Sequence, residues 1–410
     1  MTGARDRWLA IVGIGEDGLD GLSPAARALV SQAVLVVGGA RHIALAGSAI
    51  RGETLAWPSP LVDAFPAILA RRGQPVCVLA SGDPFFYGVG NTLMRLVDPA
   101  EVICLPAPSA FSLATARLGW PLQDCSLVSL HGRSFERIVP HLQPCARIVA
   151  LSWDGTTPKR LARELVDRGM GASRLVVLEA MGGPAERIID ATAETYEAGD
   201  VAALNTVAIE VLAGRDARVL PLAAGLPDAL FETDGQLTKR EIRAVTLSAL
   251  APRRGELLWD VGAGSGSVGI EWMLRHPMNR TIAVEPRSDR AARVARNAMA
   301  LGVPDLDIVC GEAPDALAGL PVPDAVFIGG GATDAGVLDA AWAALRPGGR
   351  FVANAVTLET QAVLLERFAR HGGEMVTIAV SRADKVGPMH GWRAAMPVTQ
   401  WAVTKPEGGA

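Results

Sequence analysis

Short apolar runs rich in valine, isoleucine and leucine alternate with helical patterns along almost the whole of this 410-residue chain. Such alternation is typical of βα units, whose parallel strands are buried on both faces of a sheet. The predicted strands of the first half are Leu9–Val12, Val34–Val37, Val76–Leu79, Val102–Leu105, Ile148–Leu151, Leu175–Leu178 and Val207–Leu212. Those of the second half are Leu257–Val261, Ile282–Glu285, Ile308–Cys310, Ala325–Ile328, Phe351–Asn354, Met375–Val380 and Val398–Val403. We therefore predict an α/β protein with parallel sheets.

Two interruptions of this pattern predict how the chain divides, because it is too long for one ordinary hydrophobic core. Prolines and a glycine break the alternation around Val219–Pro227. Within the first half, Gly119-Trp120-Pro121 separates two groups of strands. We predict two lobes, residues 1–118 and 119–218, followed by a domain at residues 225–405.

Composition excludes several classes of protein. The formal charge of -4 gives no basic footprint for nucleic acid. The five cysteines are dispersed without a Cys-x-x-Cys pair, which favours reduced thiols and neither a disulfide framework nor a metal site. Because the chain shows neither a secretory signal nor an apolar run long enough to span a membrane, we expect a cytoplasmic protein.

The strongest local motif is Asp260-Val261-Gly262-Ala263-Gly264-Ser265-Gly266, which joins a predicted strand to a predicted helix. Glycine permits a close backbone approach, and the start of the helix offers free N–H groups to a polar ligand. Glu285 ends the next strand, where a ribose hydroxyl pair needs an acceptor, and Glu312-Ala313 follows the strand after it. The loop alone also fits a nicotinamide-dependent dehydrogenase, and Glu285 alone could be a solvated acid.

Three loops of the first half leave the carboxyl ends of predicted parallel strands. They contain Gly13 and Gly15, then Gly82-Asp83, then Ser109-Ala110. Carboxyl ends of parallel strands share one edge of a sheet, so we expect the loops to converge. Asp83 precedes a proline and could instead be a simple turn residue.

These motifs carry two resemblances. The Asp260–Gly266 segment resembles the S-adenosylmethionine (SAM) motif of class I methyltransferases, and the last two predicted strands suit the antiparallel pair of that class. The three first-half loops resemble the tetrapyrrole (corrin/porphyrin) methylase family, which holds SAM between two lobes. The order of the halves, with segments 234–241 and 354–359, resembles fused methylases of corrin (vitamin B12) biosynthesis. The resemblance implies a two-lobed tetrapyrrole methylase fold followed by a Rossmann-like class I domain.

The resemblance further implies one SAM site in each half. The implied contacts are Gly13, Gly15, Gly82, Asp83, Ser109, Ala110 and Gly182 in the first half, and Thr238, Gly262, Ala263, Gly264, Ser265, Gly266, Glu285, Glu312 and Ala313 in the second. Segment 178–184 would form the wall of the second lobe. The Thr238 hydroxyl could cap the following helix, reach SAM, or do both.

The implied substrate is a polycarboxylate tetrapyrrole. Gly329 and Gly330 would leave room for a flat ring and Asn354 would position it, although a glycine-rich turn can also be merely flexible. Basic side chains are candidates for binding its carboxylates: Lys239, Arg240, Arg382, Lys385 and Arg393.

The implied reaction is C-methylation of the ring with loss of one acetate carboxyl as CO2. Electron-rich ring carbons can attack a sulfonium methyl without a strong base, so His42 and His131 are interpreted as ordinary polar residues. We also expect a homo-oligomer. The alternatives are an RNA methyltransferase, the same chemistry on a cobalt-containing ring, and a protein that binds SAM without turnover.

Overall fold

The computed structural model describes residues 7–197 and 199–408. The described residues form two compact units, divided near residue 220. The first unit contains the residues up to 133 together with 141–219, and the second contains 134–140 and the residues from 220 onward. Each unit has its own sheets and hydrophobic core.

The first sheet of the first unit is entirely parallel. Its strands are β1 (Leu9–Ile14), β2 (Leu35–Gly38), β3 (Glu53–Ala56), β4 (Val76–Ser81) and β5 (Val102–Leu105), in the order β3-β2-β4-β1-β5. The helices among them are α1 (Pro24–Gln32), α2 (Ala40–Ala46), α3 (Phe65–Leu69) and α4 (Gly90–Leu93). Leu9 and Ile11 pack into a core on one face, and Ala10 and Val12 into a core on the other. This two-sided burial explains the unbroken apolar run of β1.

The second sheet of the first unit is mixed, so the prediction of parallel sheets is wrong for this sheet. Its strands are β6 (Cys125–Ser129), β7 (Arg147–Leu151), β8 (Arg174–Glu179), β9 (Arg187–Thr192) and β10 (Asn205–Glu210), in the order β6-β7-β10-β8-β9. Only β6 and β7 pair in parallel; the other neighbours are antiparallel. Helix α5 (Ala110–Leu118) packs against β7 and β10, and α6 (Thr157–Asp167) follows β7 in the chain. Both β8 and β10 are almost fully buried, so their apolar runs could not reveal their direction.

The second unit is one large sheet flanked by helices. Its strands are β11 (Leu257–Val261), β12 (Arg280–Glu285), β13 (Asp307–Cys310), β14 (Ala325–Ile328), β15 (Arg350–Ala355), β16 (Glu374–Ile378) and β19 (Val398–Thr404). Its helices are α7 (Arg240–Leu250), α8 (Ser267–Leu274), α9 (Ser288–Ala300), α10 (Val337–Ala344) and α11 (Leu358–His371). The order β13-β12-β11-β14-β15-β19-β16 reverses direction between β11 and β14, and open α/β sheets bind ligands at such a switch point.

The last strands confirm one prediction and correct another. The predicted antiparallel pair is present, because β19 runs antiparallel to both β15 and β16. However, the segment between the last two predicted strands, for which no strand was predicted, forms a hairpin of β17 (Ser381–Val386) and β18 (Met389–Ala394). Almost every residue of this hairpin is exposed, so it lacks the apolar alternation that would have revealed it.

The α/β fold class predicted from the sequence is confirmed. None of the helices that the structure describes is both long and apolar enough to cross a bilayer.

Candidate functional site

A cavity of about 680 Å³ opens in the first unit at the carboxyl ends of β1, β4 and β5. We call it the N-cavity. As predicted, the three loops after these strands converge there. The lining includes Gly15, Gly82, Asp83, Ser109 and Ala110 from these loops.

Glycine is required where these loops touch. A Cβ on Gly13 would collide with the backbone oxygen of Gly82 and the backbone nitrogen of Ala107. Gly82 has a φ of 54°. Gly13 therefore packs the loops together and is not part of the cavity lining. Gly182 is also outside the lining, although its neighbours Ala180 and Met181 contribute to it, as predicted for the second lobe's wall.

Two polar side chains of the N-cavity also have local roles. One carboxylate oxygen of Asp83 accepts the Phe85 N–H at 2.8 Å, so Asp83 does make the turn before Pro84. The Ser109 hydroxyl caps α5 by accepting the Ser112 N–H at 3.2 Å. Both residues still face the cavity.

A polar cluster after β2 was missed as part of a site. The His42 Nε2 lies 2.8 Å from the Ser81 Oγ and 3.1 Å from an Arg41 guanidinium nitrogen, and Arg41 also pairs with Glu16. Guanidinium groups only donate, so Nε2 must accept and the ring proton lies on Nδ1. Burial lowers the pKa of His42 to about 4, with Arg41 contributing in the same direction. His42 is therefore a neutral hydrogen-bonding residue of the cavity. The strand-ending Gly38-Gly39 pair was the signal that could have placed it there.

Aromatic side chains give the N-cavity a broad apolar surface. Phe86, Tyr87 and Trp153 all line it, and the side chains of Tyr87 and Trp153 are 43% and 56% exposed. The Arg133 guanidinium lies 4.9 Å from the Tyr87 ring centre, and the His131 ring lies 6.2 Å from that of Trp153. This arrangement suits a large flat ligand that carries negative charge.

A second cavity, of about 610 Å³, lies in the second unit at the switch point between β11 and β14. We call it the C-cavity. Gly262, Ala263 and Gly264 line it. Gly262, Gly264 and Gly266 have φ values of 71°, 60° and 73°, a region that favours glycine. A Cβ on Gly262 would lie 2.7 Å from the Gly330 nitrogen, so glycine also allows the two loops to touch.

The last two residues of the glycine motif, Ser265 and Gly266, lie behind the residues that line the C-cavity. The Ser265 hydroxyl donates to the Gln236 carbonyl at 2.8 Å, and a Cβ on Gly266 would lie 2.6 Å from Val294. Both residues were predicted to contact SAM, and the structure gives them packing roles beneath the loop. Neither borders the cavity.

The acids after β12 and β13 reach the C-cavity. Glu285 is 2% exposed, and its two carboxylate oxygens accept the Gly264 N–H at 2.8 Å and the Arg287 N–H at 3.2 Å. The alternative of a solvated strand-end acid is therefore wrong for Glu285. Glu312 and Ala313 line the cavity after β13, with Glu312 exposed.

Asp260 lies beneath the glycine loop and is fully buried. One of its carboxylate oxygens accepts the Gly269 N–H at 2.9 Å. Burial raises the pKa of Asp260 to about 7, and the charge of Glu285 contributes in the same direction. Asp260 therefore supports the loop and does not line the cavity.

The segment before α7 forms another wall, and one prediction about it is wrong. Thr238 and Lys239 line the cavity, but α7 is preceded by Lys239, which makes no side-chain cap. Thr238 does not cap the helix because it lies one residue too early. Its carbonyl is instead held by Arg243, whose side chain is fully buried beside Glu271.

The cations of the C-cavity are already paired within the chain. Lys239 lies 3.9 Å from Asp228, Arg290 2.8 Å from Asp234, and Arg382 2.5 Å from Glu241. Among the other predicted carboxylate binders, Arg240, Lys385 and Arg393 lie outside the lining. Lys385 and Arg393 belong to the exposed β17–β18 hairpin, where Arg393 pairs with Asp384 at 3.1 Å.

The remaining predicted residues meet at the floor of the C-cavity. Gly329 and Gly330 follow β14, and Asn354 is on the adjacent β15. Asn354 hydrogen-bonds to Thr246 of α7 and Gln400 of β19, two buried residues that sequence reasoning missed. Their contact joins positions far apart in the chain, so no local pattern could signal it.

Comparison with known proteins matches both halves to families. Residues 9–197 match the Tetrapyrrole (Corrin/Porphyrin) Methylases, and residues 229–405 match the Precorrin methyltransferase domain. The chain is 58% identical over 398 residues to a precorrin-6Y C(5,15)-methyltransferase [decarboxylating] of Sinorhizobium sp, covering 97% of this chain and 96% of the relative.

Relatives about half as long also match. The chain is 35% identical over 204 residues to a cobalt-precorrin-7 C(5)-methyltransferase of Salmonella typhimurium, covering 48% of this chain and 98% of the relative. It is 37% identical over 180 residues to a probable cobalt-precorrin-6B C(15)-methyltransferase (decarboxylating) of Pyrobaculum calidifontis, covering 42% of this chain and 92% of the relative.

Proposed function

The chain belongs to the family of decarboxylating precorrin-6Y C5,15-methyltransferases, and from that premise we propose that it converts precorrin-6Y to precorrin-8 with SAM as methyl donor. The reaction adds methyl groups at carbons 5 and 15 and removes the ring C acetate carboxyl as CO2. One observation carries the proposal: each unit has its own glycine-lined cavity at the carboxyl edge of its parallel strands.

We assign carbon 5 to the first unit and carbon 15 with the decarboxylation to the second. The tetrapyrrole methylase match falls in the first unit except for residues 134–140, and the precorrin methyltransferase match falls in the second. The half-length relatives are named for single carbons, with decarboxylation named only for the carbon-15 protein. These names support a division of labour between the units.

We propose one SAM site in each cavity. SAM supplies a methyl group on a positively charged sulfur. In the N-cavity, Gly15, Gly82 and Ser109-Ala110 offer backbone close to the ligand, with Asp83 beside them. The C-cavity also offers backbone close to the ligand, from Gly262–Gly264, Thr238, Glu312 and Ala313.

Glu285 fits a ribose hydroxyl pair. Each carboxylate oxygen accepts one backbone N–H, and each has capacity for a second hydrogen bond. The same backbone bonds fix the carboxylate beside the glycine loop. Glu285 can therefore accept from both ribose hydroxyls without moving.

The side chains of both cavities mainly position and enclose the substrate. A ring carbon that is already nucleophilic needs alignment with the methyl and little proton transfer. The aromatic surface of the N-cavity would hold the flat ring, and the exposed backbone of Gly329 and Gly330 leaves space for it in the C-cavity. The paired cations of the C-cavity limit the charge available to stabilise a carboxylate that must leave.

The decisive experiment combines the purified full chain, SAM and enzymatically prepared precorrin-6Y, and measures the product mass. A gain of two methyl groups with loss of one CO2 supports the proposal. A gain of one methyl group identifies a silent site, and an unchanged mass contradicts the proposal. A parallel reaction with the cobalt-containing ring distinguishes the substrate form, and one with RNA tests the remaining methyltransferase alternative.

We also propose that the protein works in the cytoplasm as a homo-oligomer. The dispersed cysteines support a reducing compartment. Met389 and Trp392 on the β17–β18 hairpin are 70% and 79% exposed, which supports a contact surface. Light scattering of the purified protein tests the oligomer, and a monomer at micromolar concentration would contradict it.

A further inference from the structure

Three side chains from separate elements form a closed hydrogen-bond triangle at the floor of the C-cavity. The Asn354 Nδ2 donates to the Thr246 Oγ1 at 2.9 Å. The Gln400 Nε2 donates to the same Thr246 oxygen at 3.0 Å and to the Asn354 Oδ1 at 2.9 Å. Thr246 is 0% exposed and Gln400 is 2% exposed, whereas Asn354 is partly exposed and lines the cavity.

The triangle fixes which way the Asn354 amide faces. Its oxygen accepts from Gln400 and its nitrogen donates to Thr246, so a flipped amide would set two NH2 groups against each other and lose the Gln400 bond. An amide nitrogen carries two N–H groups, and Thr246 receives one of them. The second N–H has no part in the triangle, and Asn354 lines the cavity.

Asn354 borders the part of the C-cavity that Gly329 and Gly330 line. It is the penultimate residue of β15, which is adjacent to β14, and β14 leads into Gly329 and Gly330. Among the residues that line the C-cavity, the basic side chains are each paired with an acid of the chain. The Asn354 amide is instead a neutral donor, and its hydrogen bonds to Thr246 and Gln400 set its orientation.

We propose that Thr246 and Gln400 are positioning residues that hold the Asn354 N–H for the substrate carboxylate lost as CO2. This inference rests on the proposed function. A neutral donor orients a carboxylate without neutralising it, whereas an unpaired arginine would stabilise the ground state more than the transition state of CO2 loss. No covalent step is assigned to these three residues.

Thr246→Val tests the positioning role, because it replaces the hydroxyl with a methyl group of similar size. We expect carbon-15 methylation and CO2 release to fall about tenfold, the effect of losing one orienting hydrogen bond. Carbon-5 methylation and SAM affinity should stay unchanged. Thr246→Ser retains the oxygen and should restore CO2 release to within about twofold of wild type.

Thr399→Val is the matched control, since Thr399 is a buried threonine of β19, next to Gln400, that does not line the cavity. It should leave CO2 release unchanged. If Thr246→Val does not fold, Gln400→Met removes the other amide contact and should give the same loss. Equal losses in Thr246→Val and Thr246→Ser, or a matching loss of SAM affinity, would overturn the positioning role.

Asn354→Asp and Asn354→Ala together test the chemistry of the ligand. Both remove the donor, but only aspartate adds a negative charge beside the bound group. We expect the KM for the carbon-15 step to rise at least about tenfold more in Asn354→Asp than in Asn354→Ala, and to recover on acidification. Equal KM values would show that no carboxylate binds there. A wild-type enzyme that releases no CO2 would instead refute the proposed function, which separates the two failures.

Discussion

Arg243 and Glu271 form an ion pair in which both side chains are fully buried, with the Arg243 Nε 2.5 Å from the Glu271 Oε1. Glu271 also accepts the N–H groups of Gly225 and Leu226, at 2.7 and 2.8 Å. Arg243 in turn holds the Thr238 carbonyl. The pair therefore connects the start of the second unit to a wall of the C-cavity.

Glu271→Gln should destabilise the second unit strongly. The substitution leaves the Arg243 charge buried without its counter-ion, which costs about 3–5 kcal/mol. Denaturant unfolding of the full chain, followed by a probe in the second unit, measures this loss. Arg393→Ala is the control, because its pair with Asp384 is exposed and should contribute less than about 1 kcal/mol. Similar effects of the two variants would contradict the interpretation of the buried pair.

Gly264→Arg should abolish SAM binding in the C-cavity only. Gly264 has a φ of 60° and lines the cavity, so a long side chain there is both strained and obstructive. We expect calorimetry to show the loss of one SAM site, with carbon-5 methylation retained. Gly82→Arg in the N-cavity should do the reverse. Loss of both methylations from either variant would refute independent sites.

Asp260 predicts a pH dependence of stability. Its pKa is raised from 3.8 to about 7 in the folded protein, so between those values the folded state binds a proton that the unfolded state has released. The free energy of unfolding should therefore fall as pH rises, by about 1.4 kcal/mol per pH unit from this group. Asp260→Asn keeps an acceptor for the Gly269 N–H and should remove this slope. The same slope in wild type and variant would exclude Asp260 as its origin.

Trp153→Ala should weaken substrate binding in the N-cavity without unfolding the first unit. The ring is 56% exposed, so its loss affects the core little. Loss of an aromatic contact of about 1 kcal/mol should raise the KM for carbon-5 methylation several-fold and leave the carbon-15 step unchanged. Trp392→Ala, on the exposed β17–β18 hairpin, is the comparison for a general effect of removing a surface tryptophan. An unchanged KM in Trp153→Ala would exclude the aromatic surface as the ring's binding site.

Sequence patterns located the buried strands well and the exposed ones poorly. Val102–Leu105, Leu257–Val261 and Ala325–Ile328 match the structure residue for residue, because each is a short apolar run, interrupted only by Asp260. Glu53–Ala56 and Arg187–Thr192 were missed, since these edge strands mix polar with apolar residues and neither contains a buried residue. Each of them is a strand because it pairs with a neighbouring strand, and the hydrophobic periodicity of its own sequence does not indicate that pairing.

For the two cavities, local motifs predicted where the loops lie but not which side chains support them. The glycines at 82, 262 and 264 mark turns that a short sequence window can reveal. His42 meets Ser81 across 39 residues, and Thr246 meets Gln400 across 154. Such contacts arise only when separate elements pack, so one sequence alone does not contain a local signal for them.

Gly13 and Gly264 are both constrained by the fold, but for different reasons: packing leaves no room for a side chain at Gly13, whereas backbone conformation restricts the residue at Gly264. A methyl group at Gly13 has no room between Gly82 and Ala107, whereas a Cβ on Gly264 would meet only the Gln236 oxygen, at 3.3 Å. In a saturation library, Gly13 should accept no other residue even in a catalytically dead background. Gly264 should accept asparagine, which tolerates its left-handed backbone, wherever selection acts on folding alone. Mutational profiles of the two glycines would thus distinguish a position closed by packing from one restricted by backbone conformation.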